Sequence, residues 1–224
     1  MTEEKGVFPN RREAFELARR SVAAGFLIGG GGAASATVGG VAGAFLFAVG
    51  LIAIVIEGAP LYTGRIGFVA NLGDFVRAHF ILIFNFIGAF FAGAAFEQAA
   101  TDALAPTAAA ASARMAADVV PFFWRAFFCG MFMYAAVSGH RRSGSFVPVV
   151  FCVAAFVACR FEHCIADAFF FWLTPDSPLK IATYLGIAIV GNACGAQFLN
   201  ATLKMGKPVE EATKNEKTEK KDAA

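Results

Sequence analysis

The sequence predicts an all-α membrane protein with six transmembrane helices, of which the second and the fifth are broken. Of its 224 residues, 58% are hydrophobic and only 16% are charged, and the mean hydropathy is +0.61. Residues 21–56 contain no charged side chain, and about 20 apolar residues suffice for a helix to cross the hydrocarbon core of a bilayer. A later hydrophobic run is interrupted within residues 160–167 by four ionisable side chains, which predicts a polar break at membrane depth.

Hydropathy places the six spans at residues 13–38, 40–72, 75–100, 113–138, 146–173 and 179–203. The chain therefore divides into an N-terminal segment (1–20), a six-helix channel domain (21–203) and a C-terminal tail (204–224). The tail is rich in lysine and glutamate, which predicts disorder. The N-terminal segment lacks the apolar core of a signal peptide. Within it, residues 11–20 are expected to form either an amphipathic helix on the membrane surface or a solvated tail.

Basic side chains gather on one side of the predicted spans. They fall into four clusters, at Arg11, Arg12, Arg19 and Arg20, at Arg65 and Arg77, at Arg141 and Arg142, and at Lys204 and Lys207. Because cytoplasmic loops carry an excess of lysine and arginine, this pattern predicts a multi-pass protein of the cell membrane with both termini in the cytoplasm.

Each three-span half of the chain has an interrupted middle span, at residues 57–64 and residues 160–167. Broken helices at matching positions of two oppositely oriented halves are typical of an inverted repeat, with the substrate site between the halves. An ionisable side chain at the bilayer centre costs about 2.5–3.5 kcal/mol on insertion scales and usually faces a cavity or a conduction path. The second break therefore predicts a pore or transport site.

Four motifs carry a resemblance to a known family. They are GAPLYTG at residues 58–64, FNFIGA at 84–89, FEHCIA at 161–166 and GNACG at 191–195. In this order they resemble the signatures of the formate/nitrite transporter family, and the resemblance covers roughly residues 12–203. It implies an aquaporin-like protomer built as an inverted repeat, usually assembled as a homopentamer. Each subunit is expected to hold one pore for a small monovalent anion such as formate, nitrite, hydrosulfide or lactate.

The resemblance also implies which residues line the pore. His163 matches the central histidine of the family, and Leu51 and Phe156 match the hydrophobic constrictions on either side of it. Phe47 and Met133 match neighbouring pore-lining positions. The expected pore is therefore narrow and apolar around one histidine.

The polar positions follow from the same resemblance. Thr63 matches the polar residue of the broken second span, whose loop, with Leu61 and Tyr62, has been proposed to gate the pore. Asn192 matches a polar partner of the histidine on the last span. Arg114 falls where the family commonly has a lysine in the outer vestibule, so the positive charge is kept.

Three residues depart from the family pattern. Gly130 stands where most members have an asparagine near the histidine, so one hydrogen-bond partner is expected to be missing. Arg160 replaces a small residue and Asp167 replaces an asparagine. Our hypothesis at this point is that Arg160 and Asp167 compensate each other electrostatically.

A charge argument independent of the resemblance predicts proton-linked transport. Burying an isolated ion in a low-dielectric medium costs tens of kcal/mol in the idealised limit, so a bare anion is not expected to cross a leucine and phenylalanine constriction. A weak-acid anion attracted by Arg114, with or without Arg125, is expected to meet His163 and to cross with a proton. Imidazole titrates near neutral pH, and the adjacent Glu162 or the anion itself favours its charged form. In a second version His163 stays neutral and the dipoles of the broken helices act on the anion.

Two other classes of protein remain as alternatives. One is a channel for neutral solutes, with transport that does not depend on pH. The other is a membrane cytochrome subunit with His79 and His163 as axial haem ligands. No nucleophile and base pair or Walker loop points to an enzyme, and Cys159, His163 and Cys164 lack the spacing of a structural zinc site. We therefore predict no enzyme activity, cofactor, metal or nucleic-acid partner.

Overall fold

The computed structural model describes residues 10–99 and 101–205, with side chains up to residue 203. These ranges form eight α-helices, one 3₁₀ turn at Ile66–Phe68 and no strand. The helices are α1 (Arg11–Val38), α2 (Gly40–Glu57), α3 (Leu72–Gln98), α4 (Leu104–Arg114), α5 (Val119–Ser143), α6 (Val147–Ala158), α7 (Cys164–Trp172) and α8 (Pro178–Met205). The all-α prediction is confirmed.

Five helices in the described ranges are long and apolar enough to cross a membrane: α1, α2, α3, α5 and α8. The sixth crossing is divided between the shorter α6 and α7, as the broken fifth span predicted. At about 1.5 Å per residue, these two helices placed end to end would cross a hydrocarbon core of about 30 Å. The structure is thus that of a helical membrane protein.

The helix boundaries differ from the predicted spans at three places. The helix of the second span ends at Glu57, and between there and α3 the chain forms only the short 3₁₀ turn. The fifth span resumes at Cys164, so Asp167 lies inside α7 rather than in the break. Residues 101–112, which we predicted to be a loop, contain most of α4, because this alanine-rich segment has high helix propensity.

At the ends of the chain, α1 begins at Arg11, where the Asn10 side chain accepts a hydrogen bond from the Glu13 backbone N–H. Residues 11–20 are therefore the first turns of a continuous helix, and neither the separate surface helix nor the solvated tail is observed for them. Residues 1–9 and 206–224, with most of the predicted disordered tail, lie outside the described residues.

Helix packing follows the inverted repeat. Helix α1 packs along α3 and α2, and α5 packs along α8 and α6 in the same way. The second part of each broken span crosses to the other half: the 3₁₀ turn packs on α8, and α7 packs on α3. The two breaks are therefore held between the halves, where the inverted repeat predicts the transport site.

Glycine allows the closest helix contacts at matching points of the two halves. A Cβ atom on Gly25 of α1 would overlap the backbone carbonyl of Asn85 in α3, and one on Gly130 of α5 would overlap that of Asn192 in α8. Small residues at such crossings let helix backbones approach closely in lipid. A side chain at Gly130, where the resemblance led us to expect an asparagine, would therefore disturb the close crossing of α5 and α8.

The helix before each break ends in a left-handed residue. That residue is Gly58 after α2, with φ 58°, and Arg160 after α6, with φ 55°. The next backbone N–H, of Ala59 or Phe161, donates to a carbonyl five residues earlier, at 2.9 Å in both cases. The two ends share a Schellman-type geometry, and Arg160 is the only non-glycine residue with positive φ in the described part of the chain.

Candidate functional site

A cavity of about 550 Å³ leads into the protein between the α1–α2 turn, α4 and the second break. Gly39 and Thr107 lie at its rim, and Arg114 and Arg160 are part of its wall. His163 also lines it and is 2% exposed. The cavity is therefore a vestibule that joins the surface to the central histidine.

Aromatic rings close the inner end of the vestibule. The Phe47 and Phe156 rings meet edge to face with centroids 5.7 Å apart, and the Phe156 ring stacks on the His163 imidazole at 5.7 Å. Leu51 and Met133 are fully buried in the same hydrophobic core but do not line the vestibule. The structure thus brings Phe47, Phe156 and His163 together and leaves Leu51 and Met133 outside the vestibule lining.

Both ring nitrogen atoms of His163 have partners. The side chain caps the start of α7, where Nδ1 accepts a hydrogen bond from the Ala166 backbone N–H at 3.1 Å. Nε2 lies 2.9 Å from the Thr63 hydroxyl of the first break. Because Nδ1 accepts, a neutral imidazole in this arrangement carries its proton on Nε2. Thr63 and His163, one from each break, therefore meet at the centre of the protein.

Two asparagines hold the backbones of the breaks. Asn192 accepts from the Cys164 backbone N–H at 2.9 Å, and its amide donates at 2.8 Å to the carbonyls of Glu162 and Ala126. We expected Asn192 to contact the histidine; it contacts instead the backbone on either side of His163. The reason is that the cap and Thr63 already occupy both ring nitrogens.

Asn85 makes the matching contacts in the first half. It accepts from the Tyr62 backbone N–H at 2.8 Å, and its amide donates to the carbonyls of Pro60 and Ser21 at 3.0 and 2.7 Å. We call Asn85 and Asn192 the asparagine clamps. Leu61 lies between the two clamped groups of the first break, as His163 does in the second, and it is 3% exposed.

Tyr62 is buried beside α3. Its ring contacts His79 of α3, with centroids 5.6 Å apart, and the His79 Nδ1–H donates to the Phe75 carbonyl at 2.8 Å. With His79 engaged there and both nitrogens of His163 bonded within the protein, the pair is not arranged as axial haem ligands.

Four charged side chains form a cluster at the vestibule, which two of them, Arg114 and Asp167, line. Nη1 of Arg114 is 3.1 Å from Glu162 and 3.3 Å from Asp167, and Nε of Arg125 is 3.5 Å from Glu162. Glu162 and Asp167 are 0% exposed, and Arg114 also contacts the faces of Phe170 and Phe171. We call these four residues the charge cluster.

The charge cluster corrects two expectations. Asp167 pairs with Arg114 from α4 rather than with Arg160, which makes no ion pair in the described ranges because its left-handed backbone leaves it exposed at the vestibule wall. Glu162, which we expected to favour the charged form of His163, pairs instead with Arg125 as well as with Arg114. Glu162 therefore faces the two arginines.

Three contributions were missed from the sequence. Helix α4 carries Arg114 into the vestibule, Asn85 clamps the first break, and Arg125 completes the charge cluster. An internal comparison of the two halves would have found the last two, because Asn85 corresponds to Asn192 and Arg125 corresponds to Arg20. In the first half, Arg20 donates to the carbonyls at the end of α2.

Comparisons with known proteins agree with this geometry. The sequence profile described as formate/nitrite transporter matches residues 2–206. A solved structure titled "FNT family ion channel" is similar at a TM-score of 0.77 and 19% identity, covering 88% of this chain and 96% of the other. A "Pentameric formate channel with formate bound" is similar at a TM-score of 0.65 and 19% identity, covering 87% and 96%. No curated protein sequence matches significantly. The profile match over nearly the whole chain establishes that this membrane protein belongs to the formate/nitrite transporter family.

Proposed function

We propose that the protein conducts small monovalent weak-acid anions, such as formate or nitrite, across the membrane together with a proton. The observation that carries this proposal is the junction at His163 of an arginine-lined vestibule and an aromatic constriction. The similar pentameric channel with formate bound supports formate as the first anion to test. Hydrosulfide and lactate are the alternative substrates.

The vestibule attracts an anion by charge. Arg114 and Arg160 line it, and the guanidinium of Arg114 keeps a buried nitrogen, Nη2, without a hydrogen-bond partner among the described residues. A planar guanidinium suits a carboxylate or another small oxyanion. The anion is therefore concentrated within reach of the His163 side of the cavity.

The constriction then selects the neutral form. Phe47, Phe156 and Leu51 are each 2% exposed, and an ion pays a large desolvation penalty in such surroundings. Protonation of the anion removes most of that penalty. In this pathway the Nε2–H of His163, which meets the Thr63 hydroxyl at rest, donates a hydrogen bond to the passing acid.

We propose a homopentamer in the cell membrane with both termini in the cytoplasm. The similar pentameric channel supports the subunit number. The clusters of arginine near α1, the first break and the end of α5 support the orientation by the positive-inside rule. The vestibule then opens to the outside of the cell, since the α1–α2 turn and α4 lie at the opposite end of the spans.

Uptake into proteoliposomes tests the proposal. Formate, nitrite, hydrosulfide and lactate are supplied at about pH 5 and about pH 8, the range over which histidine titrates. We expect uptake to rise as the external pH falls, and His163→Phe to lower uptake at both pH values because the hydrogen-bond donor beside the constriction is lost. His140→Phe is the matched control, because His140 contacts the Ser145 carbonyl and the Phe146 ring, remote from the vestibule lining.

The same experiment distinguishes proton-linked anion conduction from a channel for neutral solutes. That channel predicts equal uptake of glycerol or urea at both pH values and no discrimination among weak acids. Formate uptake that does not change with pH, in a preparation whose control variant is intact, would count against proton-linked conduction.

A further inference from the structure

The charge cluster contains two carboxyl groups, Glu162 and Asp167, which we call the acidic pair. Attraction of an anion does not explain why they are there. Asp167 lines the vestibule, so an ionised carboxylate there repels the anion that Arg114 attracts. None of the four carboxylate oxygens of Glu162 and Asp167 has a well-aligned hydrogen bond in the described ranges, although both side chains are fully buried. Burial of ions that lack such bonds costs several kcal/mol for each ion. The pair therefore calls for a functional reason.

The two carboxyl groups lie side by side. Both contact the same nitrogen, Nη1 of Arg114, at 3.1 and 3.3 Å, so the two buried side chains converge on a single N–H group. A carboxylate only accepts hydrogen bonds, so a bond between the two carboxyls exists only when one of them holds a proton. Two buried carboxyl groups this close together favour the binding of one proton, because two negative charges there repel each other.

A proton on the pair changes the charge that an arriving anion meets. With both carboxyls ionised, the charge cluster of two arginines and two carboxylates is neutral. One bound proton makes it singly positive. Binding of the proton and binding of the anion then favour each other, as linkage requires.

His163 is less suited to hold this proton. A second proton on its ring would occupy Nδ1, which accepts the Ala166 N–H and caps α7. Protonation would break that cap, and a lost cap typically costs about 1 kcal/mol. The geometry favours a histidine that stays neutral.

We infer that the Glu162–Asp167 pair is the proton-binding site that loads the transported anion, with Asp167 as the donor facing the vestibule. The inference rests on the proposed function, because it names the proton donor of that pathway. The O–H bond of the Asp167 carboxylic acid breaks, and an O–H bond forms on the anion. The neutral acid leaves past Phe156. The Asp167 carboxylate then regains a proton from hydronium in the vestibule water, so one external proton is carried with each anion.

The charged and titratable groups around Asp167 come from each neighbouring element. They are Arg114 of α4, Arg125 and Cys129 of α5, Glu162 and His163 of the break, and Cys164 of α7. Replacement of Asp167 by asparagine keeps the shape and restores the residue expected from the family resemblance. Asp167→Asn is therefore a suitable variant for the test.

Infrared difference spectroscopy of the full chain in detergent tests proton binding directly. We expect a carbonyl band of a protonated carboxylic acid that grows when carbon-13 formate is added, disappears in Asp167→Asn and returns at a shifted frequency in Asp167→Glu. Asp176→Asn is the control: Ser112 and Lys180 donate to this loop carboxylate, and these bonds lower the pKa of Asp176, so it stays ionised. A band that is absent, or unchanged in Asp167→Asn, overturns the inference.

Formate uptake by the same variants tests the loading step. A positioned proton donor typically contributes about 100-fold or more, so we expect Asp167→Asn to lower the acid stimulation of uptake by at least about tenfold. Asp167→Glu is expected to retain it. Acid stimulation that persists in a folded Asp167→Asn protein overturns this inference alone. Absence of formate uptake by the wild type overturns the proposed function, and the loading step with it.

Discussion

Replacement of Asn192 by leucine is expected to release the backbone on both sides of His163. The change removes three hydrogen bonds of 2.8–2.9 Å. The Ala126 carbonyl keeps its bond within α5, but the Cys164 N–H and the Glu162 carbonyl are left buried without partners. At about 1–3 kcal/mol for each unsatisfied group, the expected loss in the free energy of unfolding is about 2–6 kcal/mol, partly offset by the apolar leucine.

Equilibrium unfolding in mixed micelles with increasing SDS measures this loss. Asn85→Leu is expected to lose a similar amount, because the first clamp also leaves one N–H and one carbonyl unpartnered. Asn200→Leu is the matched control on the same helix, where a single bond to the Tyr134 hydroxyl is lost. If Asn192→Leu destabilised no more than Asn200→Leu, the clamp argument would be refuted.

Three further substitutions test single features of the site. Arg160→Gly is expected to stabilise the protein by about 0.5–1 kcal/mol, because relief of about 1–2 kcal/mol of left-handed strain exceeds the entropy cost of glycine; a lower unfolding free energy would contradict this. Gly130→Ala is expected to destabilise it by about 1–3 kcal/mol or more, because the new methyl group overlaps the Asn192 carbonyl, and unchanged stability would argue against that contact. Thr63→Val is expected to leave the His163 Nε2–H unpartnered and to cost about 1–3 kcal/mol. A Thr63→Val protein with the stability and formate uptake of the wild type would contradict a contribution from this hydrogen bond.

The helices and their breaks were predictable because they depend on local properties of the chain. Long apolar runs specify spans, and the charged residues from Arg160 to Asp167 interrupt one of them. The helix boundaries near the breaks were not predictable from hydropathy. Helix α7 resumes at Cys164 only because the His163 side chain caps it and Asn192 holds its first N–H. Both interactions are made by polar side chains, and hydropathy does not show which backbone groups they will bind.

Side-chain partners in the site required the three-dimensional arrangement. Arg160 and Asp167 both depart from the family pattern, which suggested that they pair, yet Asp167 meets Arg114 from α4. A helix in the loop after α3 was needed to bring that arginine inward, and its alanine-rich sequence showed neither the length nor the periodicity of a span. Hydropathy identifies segments that are long and apolar enough to span a membrane. A short helix such as α4 is indicated only by the helix propensity of its residues.

The two halves share one scaffold but differ in chemistry, and this difference makes the two faces of the proposed pore chemically unequal. Each break is held by an asparagine clamp, and the residue between the clamped groups is Leu61 in the first half and His163 in the second. The residues before them are Pro60 and Glu162. An inverted repeat alone would present equivalent groups to both membrane faces. His163 and Glu162 lie in the second break and Asp167 follows in α7, so the groups able to exchange protons lie at the vestibule side. Proton exchange with the anion is therefore expected at the vestibule face. The first break, toward the opposite face, offers the apolar Leu61 and the hydroxyl group of Thr63.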